Sequence, residues 1–145
     1  FVAYHPWTNS IYLPGGYNAG IYNGAQRDIW KLNLSTLVWS QVGGMPVRDK
    51  YQIPLIFGDK LYVIIGDLRS QSSYLNLVDG WVYDITEPGL GVTGMSWTDS
   101  STSQALQYPF GYAQNNQGYI VLYYQRYYSG YQSYGYTSDS FKVFL

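Results

Sequence analysis

Cysteine is absent from the chain, which excludes disulfides, thiolate metal sites and a cysteine nucleophile. Histidine occurs once, at His5, and glutamate once, at Glu87. A serine nucleophile needs a base, and glycoside hydrolysis needs paired carboxylates, so both chemistries are poorly supplied. Charged residues make up only 12% of the 145 positions, about half the usual share. Eight basic side chains face nine acidic ones, for a net charge of −1. That balance gives no polybasic tract for nucleic acid or an anionic membrane surface. The longest apolar runs, Leu61 to Ile65 and Tyr119 to Tyr124, fall far short of the roughly 18 residues that span a bilayer. No phosphate-cradling loop and no calcium-loop pattern is present. No cofactor, metal, nucleic acid or membrane span is therefore expected.

What the chain has is aromatic and apolar. Apolar residues reach 46%, enough to fill a core, with 18 Tyr, 5 Trp and 16 Gly. Tyr and Trp favour strands and Gly favours turns, so the composition predicts an all-β fold. No segment carries a capped apolar period of 3.6 residues, and no helix is expected.

Three segments repeat. The first runs Ile11-Tyr-Leu-Pro-Gly-Gly16, Asp28-Ile-Trp-Lys-Leu-Asn-Leu34 and Leu37-Val-Trp-Ser40. The second runs Leu61-Tyr-Val-Ile-Ile-Gly66, Asp79-Gly-Trp-Val-Tyr-Asp-Ile85 and Met95-Ser-Trp-Thr98. The third runs Tyr119-Ile-Val-Leu-Tyr-Tyr124 and Asp139-Ser-Phe-Lys-Val-Phe-Leu145. Tyr12 and Tyr62 are 50 positions apart, and Asp28 and Asp79 are 51. Tyr62 to Ile120 is 58 and Asp79 to Asp139 is 60, with the extra length assigned to loops such as 87–94. A further apolar run precedes each repeat across a Gly- or Asn-rich turn, the mark of a hairpin. Each repeat thus predicts four short strands, with the third lacking its last. The repeats cover approximately 1–42, 49–99 and 107–145 of a single region.

A four-stranded unit of about 50 residues resembles a kelch repeat, one blade of a β-propeller. The Gly pair of Tyr12-Leu-Pro-Gly-Gly16, the Asp28-Ile-Trp-Lys-Leu strand, Trp39 and the linker Met45-Pro-Val-Arg48 are similar to that family's pattern. The resemblance implies a partial propeller whose last blade is incomplete. Trp30, Trp81 and Phe141 then read as packing between blades, and Asp28, Asp79 and Asp139 as strand-entry or turn-capping residues. Some kelch propellers are copper-radical oxidases, but these need two His ligands and a Cys crosslinked to Tyr. Three blades do not close a ring of the usual 4–8. Further blades are expected from a longer polypeptide or from another copy, and the former is favoured because the chain begins and ends inside the pattern.

The family commonly binds partners on the face formed by the loops between second and third strands and by the linkers. Here those segments are 17–27, 67–78, 125–138, 42–50 and 99–107. All four arginines fall in them: Arg27, Arg48, Arg69 and Arg126. So do Tyr17, Tyr22, Tyr74, Tyr127, Tyr128 and Tyr131. Arg and Tyr are enriched at binding hot spots, and Arg offers a planar fork to carboxylates. The expected function is a non-catalytic protein-binding or assembly module, scaffold-like, with an acidic partner. An alternative is a glycan-binding or surface-structural role led by the Tyr-rich loop 125–138. A second is a piece of a larger kelch enzyme whose catalytic residues lie elsewhere. The sequon at Asn33 and the low Lys content lean towards a secreted or cell-surface setting.

Overall fold

Alternating burial along short, aromatic-rich strands builds an all-β structure. A computed structural model of the chain describes residues 1–21, 24–49, 52–64, 80–95, 107–117, 119–130 and 133–144. Eleven strands among these residues form antiparallel sheets of four, four and three strands. The first sheet is β1 (Ala3–His5), β2 (Ser10–Pro14), β3 (Gln26–Asn33) and β4 (Val38–Asp49), in chain order. The second is β5 (Ile53–Phe57), β6 (Lys60–Ile64), β7 (Gly80–Asp84) and β8 (Val92–Met95), again in chain order. The third is β9 (Gln107–Gln114), β10 (Tyr119–Gly130) and β11 (Ser133–Phe144), with β10 central.

Directly opposed residues share a face of an antiparallel sheet, so register defines the faces. In the first sheet one face carries the row Ala3–Tyr12–Lys31–Ser40 and the other the row Tyr4–Ile11–Leu32–Trp39. In the second sheet Ile56–Leu61–Tyr83–Val92 share a face with Val63–Trp81. This face closes on the first sheet: Ala3, Tyr12, Ile29 and Met45 form one buried cluster with Leu61, Val63 and Tyr83. Tyr12 and Tyr83 meet with ring centroids 6.4 Å apart. Burial pushes both phenols above the usual tyrosine range, and at Tyr83 repulsion from ionised Tyr12 and from Asp84 raises it further. The reverse face of the second sheet, with Ile53, Leu55, Tyr62 and Ile64, is buried as well. The third sheet meets the second where β9 lies against β5, and Gln114 Nε2 donates to the Ile56 carbonyl at 3.4 Å.

Three expectations are corrected. The linker expected at 42–50 is strand as far as Asp49, paired to β3 through two register shifts. Gly43 and Gly44 resemble a linker in sequence, yet both lie within β4, paired with Ile29 and Asp28. The last strand of the second repeat, expected over Met95–Thr98, begins at Val92, where β-branched Val92 and Thr93 pair with Tyr83 and Val82. A 3-10 turn, Pro88–Leu90, precedes it. Finally, the loop expected at 125–138 belongs to a long hairpin, paired from Tyr119↔Phe144 to Gly130↔Ser133. Dense Tyr and Thr extend the ladder through positions whose Gly and Ser suggest a loop.

The register also refines the repeat. Trp30 lies opposite Leu13, Trp81 opposite Val63 and Phe141 opposite Leu122. The counterpart of Tyr62 in the third sheet is therefore Val121, one position beyond Ile120.

Candidate functional site

The connection between β2 and β3 is a tied loop. Gly15 and Gly16 leave β2 with φ of +62° and +113°, in the region that favours glycine. The Gly15 amide donates to the Asp28 carbonyl at 2.8 Å, and the Gln26 amide to the Gly16 carbonyl at 2.9 Å. Tyr17 bridges Ala25, and the Asn18 amide donates to the Gly24 carbonyl at 2.8 Å. The Asn18 side chain accepts from the Gly20 amide at 2.9 Å, an Asx turn that shapes the tip.

Arg48, on β4, anchors this loop. Its Nη1 donates to the Ala25 carbonyl at 3.2 Å, while the guanidinium remains exposed. Arg27 is exposed two residues beyond Ala25 on β3 and has no ion-pair partner among the described residues. Tyr17 is 57% exposed and Ile21 is 50% exposed. Tyr17, Arg27 and Arg48 thus belong to one end of the first sheet, Tyr17 bridged to Ala25, Arg48 bonded to it and Arg27 two residues beyond it. Such an end offers a carboxylate a planar fork and an adjoining apolar contact.

The other expected site residues are distributed differently. Arg126, Tyr127 and Tyr128 are on β10, opposite Thr137, Tyr136 and Gly135, within a strand instead of a loop. Tyr22, Arg69, Tyr74 and Tyr131 lie outside the described residues. The structure therefore brings together three of the candidates, and it recruits one of them, Arg48, to hold the fold.

Ile21 was not singled out in the sequence, where a lone aliphatic in a Gly-, Asn-rich loop carries no pattern. Asp28, expected to cap a turn or begin a strand, sits inside β3, where it accepts from Gln41 Nε2 at 3.1 Å. Asn33 accepts from the Ser35 and Thr36 amides at 2.9 and 3.2 Å, so the sequon asparagine shapes its own turn. His5 is buried, with Nδ1 2.8 Å from Thr8 Oγ1 and Nε2 3.1 Å from Asp59 Oδ1. Among the described residues, no group of three His, Cys, Asp or Glu could hold a metal ion. Nor, among them, is any helix long and apolar enough to cross a membrane. No family model matches the chain, and no curated protein matches it.

Proposed function

We propose that the chain is a non-catalytic protein-binding module on a kelch-type propeller scaffold, and that the Tyr17–Arg27 end of the first sheet takes an acidic protein segment. One observation carries the reading: Arg27, on β3, presents an exposed guanidinium without an ion-pair partner among the described residues, two residues beyond Ala25, which bridges the exposed Tyr17 across a loop closed by backbone hydrogen bonds. A tied loop loses little conformational entropy on binding, which favours affinity. The scaffold reading is supported by the sheets, which follow the repeat in sequence and stack by unlike faces. The non-catalytic reading is supported by His5, whose ring nitrogens both engage fold-holding partners in a buried position.

A fluorescent glutamate-rich peptide, titrated by anisotropy, tests the proposal. Replacing Arg27 by alanine weakens binding while the thermal melt stays in place. Equal affinity of the variant and the parent overturns it.

A further inference from the structure

The sheets have two unlike faces, and the chain itself shows how consecutive sheets fit. The second sheet buries the face bearing Leu61, Val63, Trp81 and Tyr83 against the first sheet's Ala3–Tyr12 face. Trp30 and Trp81, each opposite an aliphatic residue of the preceding strand, identify the corresponding face of the first sheet. That face carries Tyr4, Ile11, Leu13, Trp30, Leu32 and Trp39. In the second sheet the face is interior. In the first it is open, with Tyr4 52%, Trp30 37% and Trp39 49% exposed. A row of partly exposed aromatics on one sheet face marks an interaction surface.

The third sheet carries a face of the kind that would cover it. Its register row Ala113–Val121–Lys142 matches, at both outer positions and with an apolar residue between, the row Ala3–Tyr12–Lys31 on which the second sheet's aromatic face rests. Gln114, which reaches the second sheet, alternates with Ala113 along β9, so this row belongs to the opposite face. One chain therefore carries an open aromatic face at one end of the series and, by register, its complement at the other.

We infer that the open face of the first sheet docks on the Ala113–Val121–Lys142 face of the third sheet in a second copy of the chain. The contact is head to tail. Two copies with three sheets each bring six sheets together, within the range of about 4–8 blades at which propellers close. The inference rests on register and exposure and is independent of the arginine site.

Sedimentation velocity of the 145-residue chain over a concentration series provides the test. The parent forms a dimer. Trp39→Glu weakens it at least tenfold with circular dichroism unchanged, and Tyr4→Glu repeats the result on the edge strand. Leu90→Glu, on the more exposed 3-10 turn, leaves the dimer intact. Ala113→Glu breaks the complementary face, and mixing it with Trp39→Glu restores one interface and a dimer. A parent that stays monomeric overturns the inference and leaves the face to a sheet elsewhere on a longer polypeptide. A dimer indifferent to Trp39→Glu, or sensitive to it but not to Ala113→Glu, also overturns it.

Discussion

His5 and Asp59 join the first two sheets: the ring Nε2 lies 3.1 Å from Asp59 Oδ1 across 54 positions of sequence. His5 is 1% exposed and Asp59 53%, so the contact runs from the core to the surface at the β5–β6 turn. The Asp59 carbonyl also accepts from the Ile85 amide at 2.8 Å, which holds the same turn to the end of β7. Removing Asp59 leaves a buried ring nitrogen without its partner. Asp59→Ala should lower stability by about 1–2 kcal/mol. His5→Ala should lower it by about 2–4 kcal/mol, since packing is lost as well. Urea unfolding at neutral pH measures both, and a neutral His5→Ala contradicts the role.

Gly15 is fixed by conformation and by space. Its φ is +62°, and a Cβ there would collide with the Gln52 side-chain amide at the entry to the second sheet. Gly15→Ala should destabilise by more than the roughly 1 kcal/mol that strain alone brings. Gly58 has a similar φ of +61° with open space around it, so Gly58→Ala should show the strain alone. Melting temperatures of the two variants separate the effects, and equal losses contradict the packing role of Gly15.

The buried phenols set an alkaline limit. Burial raises Tyr12, Tyr62 and Tyr83 above their ordinary value. The unfolded chain therefore loses its phenolic protons first, at about pH 10. Stability is full below that pH and falls as pH rises from the unfolded value through the folded ones. Tyr83→Phe should reduce this loss, because one raised phenol is gone. Urea midpoints at pH 7 and above pH 10 test it, and an unchanged alkaline slope in Tyr83→Phe contradicts it.

Much of the strand layout was legible because the repeat is written in large residues. Tyr12 and Tyr62, and Trp30 and Trp81, mark equivalent strands, and alternating burial follows from period-two apolar positions. The failures came from glycine and serine. Gly43-Gly44 and Pro46 resemble a linker, but all three lie in strand β4. Segment 125–138 has the composition of a loop, yet its Tyr and Thr positions pair through to Gly130 and Ser133. At the candidate site, Arg27, Arg48 and Tyr17 were suggested by residue type and by their place in the expected loops and linkers. Their separation into a fold-holding Arg48 and an open Arg27 depends on the Ala25 carbonyl, which composition cannot reveal.

Comparison of Arg27→Ala with Arg48→Ala, in binding and in stability, tests the functional account most directly. The account predicts that Arg27→Ala weakens glutamate-rich peptide binding about fivefold or more, as expected for loss of one charged contact worth about 1 kcal/mol or more, with an unchanged melt. Arg48→Ala lowers the melt, because the loop loses its anchor to Ala25. Peptide affinity unchanged by Arg27→Ala would contradict the account.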